Sequence, residues 1–169
     1  MKRIHTVWAL LAAGIFLVNG CTSTYPYHAL NDDCRCATYT AKAVSGRVTY
    51  TVSASYQIGD GITTSIIVEI HNSGKDTLDL SLAYVKIASR NIPYRYNDKF
   101  IPMDIPFVLP GGRETLRLEG HVDQTKLADP WLKIAGEELV VTLKGMRVNH
   151  RELTTQAIRF VPHNPKLGT

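Results

Sequence analysis

The stretch VTYTVSASYQIGDGITTSIIVEI, residues 48–70, carries the clearest structural signal in the chain. Val48, Tyr50, Val52, Ala54, Tyr56 and Ile58 take every second position, with Thr49, Thr51, Ser53, Ser55 and Gln57 between them. Successive side chains of a strand point to opposite faces, so this pattern predicts a strand with one buried and one wet face. Gly59, Asp60 and Gly61 have the composition of a hairpin turn. Ile62, Thr64, Ile66, Val68 and Ile70 then resume the same period.

The pattern continues towards the C-terminus. HNSGK, residues 71–75, reads as a turn with Gly74 available for a positive φ. Leu78, Leu80 and Leu82 share one face, and the phase then shifts to Val85 and Ile87, as a bulge within a strand would cause. Pro93, Pro102, Pro106 and Pro110 exclude a central strand over residues 90–112 and leave room for short edge strands near 92–96 and Phe107. A Pro-Gly-Gly turn leads into Leu116, Leu118 and Val122 on one face. Residues 123–136 read as a connection with one helical turn before Pro130, residues 137–148 as a strand, and residues 153–162 as a last strand with Ile158 and Phe160 inward. About seven strands, with turns every 8–12 residues or so, predict an all-β fold, an antiparallel β-sandwich over residues 43–162 with a tail at 163–169. A domain of that size buries about two-thirds of its unfolded surface, enough for a core without staples.

VEIHNSGKDTLDL (residues 68–80) resembles the strand–turn–strand with an Asn-x-Gly turn of bacterial immunoglobulin-like domains, and VLPGGRETLRLEG (108–120) resembles the Pro-Gly turn opening a later strand of the same domains. The resemblance implies an immunoglobulin-like sandwich, with a jelly roll as the alternative. These motifs encode turns and imply no activity.

At the N-terminus, MKRIH is a short positive start and residues 6–18 are an uncharged apolar core. That length suits a signal peptide and falls short of a comfortable bilayer span. Val18, Asn19, Gly20 and Cys21 follow. The pattern resembles the bacterial lipobox, which implies a leader of residues 1–20, cleavage before Cys21, and lipidation of the Cys21 thiol. Such lipoproteins go to the outer membrane unless aspartate follows the cysteine; here Thr22 follows, so the resemblance implies a periplasm-facing anchor. Two or more acyl chains hold a protein stably at a membrane surface.

Residues 21–42 are polar with little periodicity and read as the lipidated cysteine and a tether. Cys34 and Cys36 leave three readings open: a disulfide, which needs Arg35 in a turn; free thiols; or a metal site with His28 and Asp33. Cys-x-Cys without a second half is not a standard zinc spacing, and no metal or other cofactor is expected.

The chain has 19 basic and 15 acidic residues, for a net charge of +4. Removing Lys2 and Arg3 with the leader lowers this to +2, too little to argue for a nucleic-acid partner. No nucleophile elbow, phosphate loop, dinucleotide fingerprint or His-Glu-x-x-His is present, so no catalytic residue is assigned and an enzyme is not expected. His71 and His150 read as solvated turn residues and Glu137–Glu138 as a solvated strand edge. Residues 90–107 interleave aromatic and basic side chains, the composition of interface hot spots. Arg90, Tyr94, Arg95, Tyr96, Lys99 and Phe100 form the candidate binding surface, unless the aromatics fold back over an open sheet edge. The expected function is a lipid-anchored, non-catalytic binding or accessory module for an envelope protein. The alternatives are a glycan- or peptidoglycan-binding lipoprotein, and thiol or metal handling through Cys34 and Cys36.

Overall fold

The computed structural model describes residues 24–30, 36–43, 46–123 and 129–163. In chain order the strands are β1 (Thr24–Ala29), β2 (Cys36–Ala43), β3 (Gly46–Ile58), β4 (Gly61–Asn72), β5 (Leu78–Asp79), β6 (Tyr84–Ser89), β7 (Phe100–Pro102), β8 (Phe107–Val108), β9 (Arg113–Asp123), β10 (Leu139–Lys144), β11 (Arg147–Val148), β12 (Arg151–Glu152) and β13 (Ile158–Pro162). A short helix, α1 (Pro130–Ala135), precedes β10. The fold is all-β, and its strands pair antiparallel.

Nine strands form one curled sheet in the order β7–β6–β10–β13–β1–β3–β4–β9, with β2 also alongside β3. A second sheet of four short strands runs β12–β11–β5–β8. The core lies inside the curl. Tyr50, Val52, Tyr56, Ile62, Val68 and Ile70 enter it from β3 and β4, and Val85, Ile87, Leu139, Val141, Ile158 and Phe160 from the other half. Fully burying such a side chain contributes about 1.5–3 kcal/mol. The alternation read from residues 48–70 is therefore the core face of the sheet.

Four expectations are corrected. Within the stretch expected as a tether, residues 24–29 and 36–43 are strands: β1 is an inner strand of the sheet and β2 is paired with β3. Thr24, Tyr25 and Pro26 pair with β3, and Tyr27, His28 and Ala29 with β13, so β1 joins the two halves. Pro26, which has no N–H to donate, lies where the strand changes neighbours. The phase shift after Leu80 is not a bulge. Ala83 N–H donates to the Leu80 carbonyl, closing a turn between β5 in one sheet and β6 in the other, and Leu82 at its tip is 56% exposed. The strand expected over residues 137–148 is two strands. Gly145, at φ 79, breaks it where an added Cβ would lie 2.1 Å from the Leu82 carbonyl oxygen. The turn after β4 is shaped by Asn72, whose Oδ1 accepts the Gly74 N–H, not by a positive φ at Gly74.

Other expectations have a clear physical outcome. Among the described residues thirteen strands replace about seven, because β1 and β2 join the sheet and the proline-rich and turn segments add short ones. The described helix starts at Pro130, whose fixed φ suits a first helical position. Residues 92–96 form no strand, whereas Phe107 lies in β8. His150 is in the β11–β12 turn with Asn149, both at positive φ, while His71 belongs to β4.

Register aligns the sheet from one side to the other. Thr24 pairs with Gln57, Gln57 with Thr63, and Thr63 with His121, so the start of β1 lies level with the late part of β9.

Candidate functional site

The segment between β6 and β9 contains the candidate surface, and a polar clasp holds its first half. Glu137, 2% exposed, accepts hydrogen bonds from the Ser89 hydroxyl at 2.5 Å, the Asn91 N–H at 2.8 Å and the Arg90 N–H at 3.1 Å. Burial raises its pKa, and these donors oppose the rise. Opposite, Asn97 Oδ1 accepts the Ser89 N–H at 2.7 Å, and the Asp98 N–H donates to the Ile87 carbonyl. Glu137 is thus a buried anchor for the loop, not a solvated edge. Glu138 is the solvated member of the pair, with its carboxylate 2.5 Å from Arg159.

The clasp points Tyr94 inward. Tyr94 is 6% exposed, and its hydroxyl accepts from Thr64 of β4. Burial pushes its pKa up to about 12. Its ring covers Gly120 of β9, where an added Cβ would approach to 3.1 Å. Tyr96 is half-buried beside it and lines the same narrow apolar slot with Ile66 and Leu118. The candidate surface is therefore divided: Tyr94 packs onto the core face of β4 and β9 and is withdrawn from binding.

The other residues stay outside. Arg90, Arg95, Lys99 and Phe100 are exposed. Phe100 is 66% exposed, with its ring edge-on to Tyr84 at 4.9 Å. Lys86 lies 5.8 Å from the Phe100 ring centre and pairs with Asp98 at 3.2 Å. The Arg95 guanidinium lies 5.7 Å from the centre of the Tyr96 ring. Sequence reading missed Tyr84 and Lys86, because they look like the wet positions of an ordinary strand. They join the surface through the β6–β7 register, which sets Lys86 against Phe100 and Tyr84 against Pro102. A groove of about 280 Å³ adjoins it, lined by Ser89, Arg90, Asn91, Asn97 and Lys133.

Cys21 and Cys34 lie outside the described residues, and Cys36 opens β2 opposite Ser53. Among the described residues no group of three or more His, Cys, Asp or Glu side chains is placed to hold a metal ion. Among them no helix is long and apolar enough to cross a membrane.

No protein-family model and no curated protein sequence matches the chain. A solved structure described as "Crystal structure of protein from Archaeoglobus fulgidus" is similar at a TM-score of 0.40 and 11% identity, over 73% of this chain and 98% of that one.

Proposed function

We propose that the chain is a lipid-anchored envelope protein, fixed through Cys21 to the periplasmic face of the outer membrane, whose β domain is a non-catalytic binding module for another envelope protein. One observation carries this reading. Phe100 stands 66% exposed on β7, at one end of the sheet order, against Tyr84 and Lys86, and exposed Arg95 lies over Tyr96 in the segment leading to it. Exposed aromatic and arginine side chains in one segment are the composition of interface hot spots. An edge strand can also take an extended partner segment by main-chain pairing. Strand order supports the finer assignment to an immunoglobulin-like sandwich. The β3–β4–β9 and β13–β10–β6–β7 runs follow that Greek-key order, with β1 as a bridge between them.

The test is co-purification from membranes. With Arg95→Ala and Phe100→Ala combined, recovery of the partner is expected to fall about tenfold or more, as for loss of two hot-spot side chains. An unchanged profile removes this surface from the proposal. The anchor has its own test, metabolic labelling with a palmitate analogue beside Cys21→Ser. Label lost in the variant supports the anchor, and label absent from both chains refutes it.

The groove beside the clasp favours a second reading, a cell-wall glycan held by Asn91, Arg90 and Lys133. Sedimentation of the non-lipidated chain with purified peptidoglycan separates the two. No retention above a wall-free control sinks the glycan reading.

A further inference from the structure

The far side of the sheet ends differently. β9 pairs with β4 over eleven consecutive positions, from Gly61 with Asp123 to His71 with Arg113. It stands last in the sheet, and among the described residues no strand pairs with its other edge. Natural edge strands are blunted by shortness, proline, a bulge or charged side chains. β9 is eleven residues long with no proline and no bulge in its pairing, and its charged side chains are of both signs, so they repel a partner strand only in the wrong register. The Gly112 carbonyl accepts the Asn72 N–H and so points at β4. By alternation, the N–H and C=O groups of residues 113, 115, 117, 119, 121 and 123 point the other way, along the open edge.

Those residues also form the exposed face of the strand, and their side chains are arranged with a two-fold logic. Antiparallel pairing of β9 with itself about Leu118 sets Arg117 of one copy against Glu119 of the other, twice. It also sets Thr115 against His121 and Arg113 against Asp123. Opposite charges directly across an antiparallel pair are favourable and like charges unfavourable. Among the described residues neither Arg117 nor Glu119 is in an ion pair within its own chain. Backbone phase agrees. The outward-pointing residues meet one another as hydrogen-bonded pairs, and Leu118 meets Leu118 of the second copy as a non-hydrogen-bonded pair.

We propose that two copies of this chain pair antiparallel through β9, about a two-fold axis at Leu118, to make one continuous sheet. The occupant of the open edge is a second copy because the edge is complementary in charge to itself, and C2 pairing requires such self-complementarity.

The experiment is sedimentation equilibrium of the whole mature chain carrying Cys21→Ser, kept reduced so that Cys34 and Cys36 cannot link the copies. The parent is expected at twice the protomer mass. Arg117→Glu and Glu119→Arg, each of which sets like charges face to face at both pairs, are expected at the protomer mass. The double swap R117E/E119R restores both pairs and is expected at twice the protomer mass again. All substituted side chains are exposed, so the variants keep the parent's circular dichroism. A monomeric parent overturns the proposal. So does a dimer that survives both single changes, or a double swap that stays monomeric.

Discussion

Glu137→Ala is expected to destabilise the fold by about 3 kcal/mol at neutral pH, and to lower the melting temperature by roughly 10 °C. The carboxylate accepts from the Ser89 hydroxyl and two backbone N–H groups; its removal leaves the Ser89 hydroxyl and the Asn91 N–H without this acceptor, while the Arg90 N–H keeps the Glu138 carbonyl. Each such loss costs about 1–3 kcal/mol where water cannot substitute. The effect depends on pH, with a sign fixed by the direction of the pKa shift. Burial raises the pKa of Glu137 above its unfolded value. The pH-dependent part of its contribution is therefore fullest below the ordinary glutamate range and is lost as pH rises through the raised folded value. Acidification from neutral into that window should stabilise the parent relative to Glu137→Ala, so the gap between them widens. Urea unfolding of both chains at several pH values checks this. A gap that narrows on acidification contradicts the assignment. The same variant reaches the binding surface, because the clasp holds the loop that leads to Arg95 and Phe100.

Tyr27→Ala is expected to cost about 3–5 kcal/mol, the usual range for truncating a buried aromatic. Tyr27 is 0% exposed, packs edge-on against Tyr56 at 5.2 Å, and lies where β1 passes from β3 to β13. Its loss opens a cavity at the joint between the two halves. Tyr27→Phe is expected to stay within about 1 kcal/mol of the parent. The Tyr27 hydroxyl lies near Tyr94 and Thr64, but makes no hydrogen bond of full geometry. Equilibrium urea midpoints for the two variants separate packing from polarity. Equal losses in both would show that the hydroxyl is the important group.

What could be read in the sequence follows from period and from neighbours. β3, β4, β9 and β13 were legible because each buries one face, and alternation records that directly in Val48 to Ile70, in Leu116, Leu118 and Val122, and in Ile158 and Phe160. β1 was not, because TYPYHA is short, contains a proline and owes its place to β3 and to the distant β13. The split at Leu80 to Ala83 was misread because a turn between two sheets and a bulge within one strand shift the phase alike. The candidate surface was half legible. Its composition pointed to the right segment, but nothing in a proline-rich loop distinguishes the inward Tyr94 from the outward Phe100. Glu137 was misread for a related reason. Two adjacent acids look alike in sequence, and only the Ser89 turn selects which one is enclosed.

With the Cys21 anchor proposed above, the register that sets Thr24 level with His121 would limit how the protein sits on a bilayer. In a β9-paired dimer, His121 faces Thr115 of the other copy, so the two Thr24 residues are offset by six positions, about 20 Å along the strand direction. Cys21 precedes Thr24 by three residues, a reach of about 10 Å. With the strands upright, one acyl anchor would reach the leaflet and the other would hang short of it. Both reach it when the strands lie along the membrane plane. The dimer would then rest as a low raft with its two-fold axis upright, both anchors in one leaflet.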